Sequence, residues 1–352
     1  MVERENGRSA VGLPEEAGRS QGPASRHGLT AGTLRVLRGG SSGLYGVSFG
    51  VALLAGLVGA ALVAAAFGLS WHYFALTWKW ARSDIAYEDP PVGYFPPYRT
   101  GIFLRSLPFM MLLLPLAGFV LALLHSAGAV AVRDATVGGR RPGARELWRR
   151  CRPFTWLAVR VQLLTNAYAA SLALPALLVW MFFENGGVPG VDLERLSHST
   201  SAPYQLLGYG LPLVLLALAL AVWFRLGPAT AAVVDGATTA RAAVRRSWSL
   251  TGGARRWRVF GVGLLLAALV VAAFWALSRA AAPLAHPVGL AVLWLTHDNP
   301  YAAGAVMEVV PVAAGLLLLT ALVLPPVGVA LALLHRELRA ADGGSEAAAV
   351  SR

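Results

Sequence analysis

The sequence predicts an all-α, polytopic membrane protein with about six transmembrane helices, hairpin pseudo-repeats and two cytoplasmic amphipathic helices. Hydrophobic residues make up 56% of the 352 residues and charged residues only 14%, a balance typical of membrane chains rather than soluble ones. Separate apolar runs also reach the roughly 20 residues that a helix needs to cross a bilayer. Arginines crowd into every second connection between these runs, a pattern that orients membrane helices.

The apolar runs define a six-helix membrane domain over 44–339. They lie near 44–69, 103–131, 154–182, 204–233, 259–282 and 303–335. The last run is long enough to be tilted or broken, and it can bend at Pro311, Pro325 and Pro326. Residues 1–43 are polar with little periodicity, which predicts a disordered tail, and we expect a second disordered tail over 340–352.

The charges in the connections predict how the helices are oriented. Segment 133–152 carries seven arginines against two acidic residues, and segment 235–258 carries six against one. Segments 70–102 and 183–203 carry no such excess. Because basic segments stay in the cytoplasm, both termini and both arginine-rich segments are predicted to be cytoplasmic. The composition, with many Ala, Arg, Gly and Leu residues and Lys79 as the single lysine, indicates a GC-rich bacterial genome and hence a bacterial cell membrane.

The two arginine-rich segments resemble each other. In each, an aspartate is followed by several arginines and a tryptophan: Asp134 precedes Trp148, and Asp235 precedes Trp248. The aspartates are 101 positions apart and the tryptophans 100, which indicates an internal repeat.

A second internal similarity relates the second and sixth apolar runs. Residues 112–125 resemble 322–335, and the residues that recur are Pro115 as Pro325, Gly118 as Gly328 and His125 as His335. Helices rich in leucine and alanine align easily by chance, so these shared residues carry the signal. They favour a common hairpin ancestor.

The second arginine-rich segment predicts an amphipathic helix between 238 and 250. Thr238 or Thr239 can cap its first turn by accepting a backbone N–H bond. Arg241 and Arg245 then lie one turn apart on one face, with the tryptophan on another.

The first arginine-rich segment predicts a similar helix. Pro142 suits its first helical position, and Arg145 and Arg149 repeat the spacing. Such helices lie in the interface, with tryptophan at headgroup depth and guanidinium groups toward phosphates. The predicted headgroup-binding residues are Arg145, Trp148, Arg149, Arg241, Arg245, Arg246 and Trp248. Membrane lipids, anionic ones above all, are the predicted partners. The alternative is that these arginines only enforce topology.

The residues around Trp248 also resemble a known family. The run Arg245-Arg246-Ser247-Trp248-Ser249-Leu250-Thr251, with Gly253 and then 257–261, is similar to the signature of the glycerophosphoryl diester phosphodiesterase membrane domain. The stretch from Arg225 to Asp235 resembles the end of one of that family's membrane helices. Residues 333–339 resemble its closing segment, in which His335 replaces the usual Tyr and Glu337 the usual Asp.

The resemblance covers roughly 100–340 and implies an integral membrane protein without catalytic activity. The family takes its name from fusion to a phosphodiesterase domain in some members. A barrel of that kind takes about 250 residues, and no polar stretch of this chain approaches that length. We therefore expect a non-enzymatic, lipid-interacting or scaffold module in envelope or membrane homeostasis.

Polar residues inside the predicted helices form a second candidate site. A charged residue costs about 2.5–3.5 kcal/mol at the centre of a membrane helix, so each needs a reason. Arg160, Gln162, Asn166, Arg225 and His125 all lie toward the cytoplasmic side of their helices. The hypothesis is a polar pocket open to the cytoplasm and lined by His125, Arg160, Asn166 and Arg225. It supports an alternative function, a small transporter or lipid translocase. Otherwise the two arginines only snorkel to the interface.

Three further patterns give expectations about the outer side and about packing. Arg105 and Glu308 lie near the outer ends of their helices and can pair. Segment 70–102 is rich in aromatic residues, and its second half cannot form a regular helix because of Pro90, Pro91, Pro96 and Pro97. The small-residue pairs Gly46-x-x-x-Gly50 and Gly56-x-x-x-Ala60 allow close helix packing, within the chain or in a homo-oligomer.

The sequence shows no pattern of an enzyme site. Its single cysteine, Cys151, and its scattered histidines form no metal-binding spacing, so neither a metal nor another cofactor is expected. No nucleophile–base–acid set and no phosphate-cradling glycine loop is present. A membrane-embedded enzyme is therefore the least supported hypothesis. The strongly basic chain also lacks any nucleic-acid-binding motif, so we expect no nucleic-acid partner.

Overall fold

The computed structural model describes residues 28–86, 95–136, 142–184, 205–253 and 255–350. Of these residues 94% are helical, and none of them forms a strand. Six stretches of helix in this part of the chain are long and apolar enough to cross a membrane. The predicted fold class, an all-α polytopic membrane protein, is therefore confirmed.

Three long helices form the first half of the fold, and shorter ones follow. The long helices are α1 (Leu29–Ala86), α2 (Phe95–Thr136) and α3 (Ala144–Glu184). A π-helical turn, Leu206–Gly210, then leads into α4 (Leu211–Leu226), α5 (Ala229–Val234) and α6 (Ala240–Leu250). The chain continues in α7 (Arg255–Ala281), a 3-10 turn (Ala282–Leu284) and α8 (Ala285–Leu295). It ends in α9 (Pro300–Leu318), a second π-helical turn (Leu319–Val323) and α10 (Leu324–Val350).

The predicted disordered tails are partly wrong. Helix α1 begins at Leu29, so the part of the tail 1–43 that the structure describes is helical from that residue on. The reason is tertiary packing: Leu29 joins an apolar cluster that includes Leu334 of α10, and Val36 packs against the main core. At the other end α10 continues through most of 340–352, as far as Val350, in a stretch rich in alanine, the strongest helix former. Residues 1–27 and 351–352 lie outside the described residues.

The predicted outer segment 70–102 is also more helical than expected. Helix α1 continues to Ala86, and α2 begins at Phe95. Pro96 and Pro97 fall in the first turn of α2, where a backbone N–H has no helical partner to lose. The expectation that these two prolines forbid a helix is therefore wrong. Residues 87–94, with Pro90 and Pro91, lie outside the described residues.

The fourth and sixth predicted runs are each interrupted. The fourth run is divided at Gly227-Pro228, because Pro228 has no N–H to continue the ladder of α4. The sixth run is interrupted at Leu319–Val323, a wide turn that joins α9 to α10 just before Pro325. This π-helical turn agrees with the prediction that the last run is broken near its prolines.

The core lies where α1, α2, α3 and α10 meet. Leu44, Leu124, Leu147 and Val329 are among its fully buried side chains. At its centre α2 and α10 cross with their backbones in contact: a Cβ atom at Gly128 would lie 2.7 Å from the carbonyl carbon of Gly328. Only residues without a side chain permit this approach.

The predicted small-residue pairs of α1 pack within the chain. A Cβ atom at Gly46 would lie 2.7 Å from the Cβ of Ala144, and one at Gly56 would lie 3.0 Å from Leu317. Gly50 has no neighbouring atom within 4 Å. Close packing within the chain thus accounts for two of these glycines, and the homo-oligomer stays a prediction.

Large apolar side chains cover the outer surface of the bundle. Leu53, Leu213 and Leu265 are exposed on three different helices. Exposure of such a large apolar surface to water is unfavourable, whereas the hydrocarbon core of a bilayer is itself apolar and can surround it. The surface therefore agrees with the six membrane spans.

Candidate functional site at the arginine-rich end

Helix α6 is the predicted amphipathic helix of the second arginine-rich segment. Thr239 is its N-cap, because the side-chain oxygen accepts a hydrogen bond of 3.2 Å from the backbone N–H of Ala242. The helix ends at Leu250, and Gly253 follows with a φ angle of +60° that favours glycine. The predicted cap and the predicted helix are both confirmed.

One side of α6 is buried against the protein. Ala243 and Val244 pack with Val161 of α3 and with Ala232 and Val233 of α5. The short α5–α6 hairpin therefore closes this end of the bundle instead of lying free on a lipid surface. Arg241 and Arg245 remain on the exposed side of α6, one turn apart, as the spacing predicts.

Arg225, near the end of α4, is fixed by the same helix. Its guanidinium carbon lies 3.6 Å from the centroid of the Trp248 ring, a close cation–π contact. Its Nη2 donates to the carbonyl oxygen of Trp248 at 3.1 Å, and its Nε donates to Thr251 Oγ1 at 3.4 Å. The arginine therefore ties α4 to the last turn of α6.

The backbone of Arg225 is held as well as its side chain. Helix α4 ends at the Gly227-Pro228 turn, and the Arg225 carbonyl oxygen accepts a hydrogen bond of 2.7 Å from Ser247 Oγ. Thr251 Oγ1 contacts the same oxygen at 3.4 Å. Ser247, Trp248 and Thr251 thus form one binding site for Arg225, which gives the run 245–253 a structural role.

A groove lies beside this junction, between α3 and α6. It has a volume of about 330 Å³ and is lined by Leu164 and Tyr168 of α3 and by Arg241, Val244 and Arg245 of α6. Within the described part of the chain, neither arginine forms an ion pair with a carboxylate. Two uncompensated guanidinium groups therefore border an apolar surface of α3.

The first arginine-rich segment does not form a separate helix. Arg145, Trp148 and Arg149 lie in the first turns of α3, which continues without interruption through Pro153. The physical reason is the absence here of a glycine pair like Gly252 and Gly253, which follow the end of α6. Pro142 precedes the helix by two residues and is not its first residue. The prediction of two separate amphipathic helices is thus wrong for this copy.

Carboxylates partly neutralise the first copy. Arg149 and Arg150 both pair with Glu146, and Arg150 Nη1 also lies 2.9 Å from Asp134 Oδ2. Of the predicted headgroup residues in this copy, Arg149 therefore already has an acidic partner, whereas Arg145 and Trp148 are exposed. The two copies differ in both shape and charge.

The residues of the predicted polar pocket do not come together as a group of four. Gln162 donates to Asn166 Oδ1 at 3.0 Å within α3, and the His125 ring is buried on α2. Arg160 is exposed and lies over Trp156, at 5.0 Å from the ring centroid. Positions 160 and 162 point to different sides of α3, because a helix turns about 100° per residue. Arg225 is bound to α6.

The predicted outer ion pair is also wrong. Arg105 donates to the carbonyl oxygen of Leu69 at 3.2 Å and lies over Tyr73, at 4.8 Å from the ring centroid. Glu308 is exposed and forms no ion pair with any residue that the structure describes. Arg105 of α2 contacts residues of α1 instead, because α1 and α2 are consecutive helices that pack side by side as a hairpin.

A polar cavity that the sequence did not predict lies where α2, α5 and α10 meet. Its volume is about 210 Å³, and the polar residues in its wall are Arg133, Thr136, Asp235, His335 and Arg336. Asp235 Oδ2 lies 3.1 Å from His335 Nε2 and 3.3 Å from Arg339 Nη1. The hydrogen bond from His335, together with the charge of Arg339, lowers the pKa of the Asp235 carboxyl below its ordinary value, although partial burial acts in the opposite direction.

Comparisons with known protein families, curated proteins and solved structures find no match for this chain. The resemblance to the glycerophosphoryl diester phosphodiesterase membrane domain therefore stays a prediction from its motifs. Among the described residues no group of three His, Cys, Asp or Glu side chains is placed to hold a metal ion.

We expect replacement of Arg225 by leucine to destabilise the protein by about 2 kcal/mol. The change removes hydrogen bonds from a charged group, each of which contributes about 1.5–3 kcal/mol, and a cation–π contact. Thermal unfolding in detergent measures the effect. Arg160→Leu is the matched control, because Arg160 also lies over a tryptophan but is exposed. Equal losses in the two variants would show that Arg225 is not a structural tie.

Proposed function

We propose that this chain is a non-enzymatic integral membrane protein that binds anionic lipid headgroups at its arginine-rich end. It would act as a lipid-interacting or scaffold module in the envelope of a bacterial cell, with that end and both termini in the cytoplasm. The observation that carries the proposal is the groove between α3 and α6, where Arg241 and Arg245 stand next to an apolar membrane helix.

The groove has the two chemical properties that a phospholipid requires. Guanidinium groups bind phosphate oxygens through paired N–H donors, and Arg241 and Arg245 are placed to share one phosphate or to bind two. Leu164 and Tyr168 continue the groove along α3 and offer an apolar surface to an acyl chain. A headgroup and its chain can therefore bind together.

The charge of the surrounding surface adds attraction. Each arginine near an anionic membrane surface contributes about 1 kcal/mol. The same end of the fold carries two further arginines, Arg145 and Arg246, and the exposed Trp148 and Trp248. Neither of these arginines pairs with a carboxylate of the described residues. These residues favour anionic lipids in general, whereas the groove favours one bound molecule.

The transporter alternative has less support. It depended on a shared polar pocket of His125, Arg160, Asn166 and Arg225. Since Arg160 and Arg225 have separate partners, the described residues contain no such pocket. Lipid binding is therefore the function that the geometry favours.

We expect the double variant Arg241→Gln, Arg245→Gln to bind phosphatidylglycerol at least about tenfold more weakly, because each charge-assisted hydrogen bond contributes about 1.5–3 kcal/mol. Native mass spectrometry of the full chain, titrated with phosphatidylglycerol and with phosphatidylcholine, measures this loss. Binding of phosphatidylcholine, which has no net charge, should change little.

Arg35→Gln, Arg38→Gln is the matched control for this experiment. Both arginines are exposed on α1, outside the groove, and the pair removes the same charge. An equal loss in the control would point to general surface attraction, and full retention of phosphatidylglycerol in the groove variant would reject the site.

A further inference from the structure

The cavity between α2, α5 and α10 is separate from the lipid groove. Its walls are the last turns of α2, the end of α5 and the middle of α10, whereas the groove lies on the far side of α5, between α3 and α6. The rest of its lining is small and apolar, from Ala129, Val132, Ala231 and Ala332. Its chemistry is therefore set by a few charged side chains.

Two guanidinium groups of the wall are available to a ligand. Arg336 forms no ion pair with any carboxylate that the structure describes. The one carboxylate of the described residues within ion-pair distance of Arg133 is Asp134, at 4.0 Å, which also pairs with Arg150; the Arg133 guanidinium carbon lies 5.6 Å from the centroid of the Phe154 ring. Neither wall arginine pairs with Asp235, because His335 and Arg339 bind one oxygen of that carboxylate. The cavity is thus positively charged overall.

The same wall also contains a free hydrogen-bond acceptor. Both contacts of the Asp235 side chain are made by Oδ2, and no described residue donates to Oδ1. Because its pKa is lowered, Asp235 is ionised at neutral pH and can only accept hydrogen bonds. A ligand of this cavity must therefore offer negative charge to the arginines and a hydrogen-bond donor to the carboxylate.

Few anions meet both requirements. Phosphate and its monoesters keep a proton over part of the neutral range, with a second pKa of about 6 for a phosphomonoester. Sulfate and phosphodiesters are fully deprotonated there, so an ionised aspartate repels them. We propose that the cavity binds phosphate or a phosphate monoester, whose charged oxygens contact Arg133 and Arg336 while Asp235 Oδ1 accepts a hydrogen bond from its remaining P–OH group.

This site is independent of the groove, and its ligand can come from two sources. Inorganic phosphate is one, and the headgroup of phosphatidic acid, a phosphomonoester lipid, is the other. Phosphatidylglycerol is a phosphodiester and belongs to the groove. The two sites therefore select different phosphate chemistry.

The test measures binding of inorganic phosphate and of sulfate to the full chain in detergent by isothermal titration calorimetry. We expect saturable phosphate binding, at least about tenfold weaker sulfate binding, and a loss of about tenfold or more in phosphate affinity for Arg336→Gln. Arg152→Gln, an exposed arginine of α3 outside the cavity, should bind phosphate like the unchanged protein. Equal affinities for phosphate and sulfate, or equal effects of the two variants, would overturn the proposal.

Further arms distinguish the sources and the role of Asp235. Native mass spectrometry shows whether phosphatidic acid binds in an Arg336-dependent way and whether inorganic phosphate displaces it. Arg336-dependent binding of either ligand supports the site. If neither ligand binds in an Arg336-dependent way, the site is rejected. Asp235→Asn should admit sulfate, and retention of the phosphate preference would reject the carboxylate as the hydrogen-bond acceptor that excludes sulfate. Arg241→Gln, Arg245→Gln should leave the Arg336-dependent part of phosphate binding unchanged, so failure of the groove proposal and failure of this one are separable.

Discussion

A Gly128→Ala substitution is expected to lower the stability of the folded protein by about 1–3 kcal/mol, the usual cost of overpacking a close contact. The added methyl carbon would lie 2.7 Å from the carbonyl carbon of Gly328 and 2.9 Å from the backbone nitrogen of Val329. Both atoms belong to the backbone of α10, so no side-chain rotation relieves the contact. The two helices must separate, and the buried core around Leu124 must separate with them.

The measurement is thermal unfolding of the purified protein in detergent, with Gly59→Ala as matched control. Gly59 also lies inside a long helix, α1, but a Cβ atom there meets no other atom within 4 Å. Alanine exceeds glycine in helix propensity by up to about 1 kcal/mol, so the control should be neutral or more stable. If both variants unfold at the same temperature as the unchanged protein, the close crossing of α2 and α10 is wrong.

The number of membrane spans was predictable because it depends on local composition. Every apolar run of about 20 residues lies in a helical stretch long enough to cross a membrane, either as one helix or as consecutive helices joined by a short turn. The ends of the helices were not predictable in the same way. Residues 29–43 look polar in sequence, but Leu29 and Val36 find apolar partners on other helices. Such partners become visible only in three dimensions.

Local chemistry explains where the two arginine-rich segments agree and where they differ. The cap at Thr239 follows from a residue type that accepts a backbone N–H, and its prediction is confirmed. The end of α6 follows from Gly252 and Gly253, which the first copy lacks. The first copy has Arg152-Pro153 where the second has Gly252-Gly253. This difference in sequence indicates that only the second copy ends as a separate helix.

The candidate site was only partly predictable because its contacts join distant parts of the chain. Arg225 was expected in a polar pocket, but it is bound by Trp248 and Thr251, more than 20 residues later. Asp235 and His335 are 100 residues apart and form a hydrogen bond that no spacing rule predicts. A sequence signal did exist, since both residues lie in the stretches that resemble the family, the end of a membrane helix and the closing segment.

Asp235→Asn is expected to destabilise the protein by about 1–3 kcal/mol at neutral pH. The carboxylate accepts hydrogen bonds from His335 and Arg339, and loss of such a bond to a charged group in a half-buried place costs about that much. Without the charge, the end of α5 is no longer tied to α10. Chemical denaturation in detergent across a range of pH values measures the difference between the two proteins.

The pH dependence follows from the lowered pKa of Asp235. A carboxyl group whose pKa is lower in the folded state stabilises the fold fully above its unfolded pKa, about 3.9, and loses that contribution as the pH falls through the folded value. The titratable and charged groups that face it are His335, Arg336 and Arg339 of α10 and Arg133 of α2, and the arginines stay charged throughout this range. The two proteins should therefore differ at neutral pH and approach equal stability in acid.

Glu337→Gln is the control that separates this tie from ordinary surface charge. Glu337 lies two residues after His335 on the same helix and pairs with Arg258 at the surface. Exposed ion pairs contribute about 0–1 kcal/mol, so its loss should be small at every pH. A constant difference between Asp235→Asn and the unchanged protein from neutral pH to acid would mean that the variant acts through packing. A difference that disappears in acid would show that the ionised Asp235 holds α5 against α10, and with it the wall of the phosphate cavity.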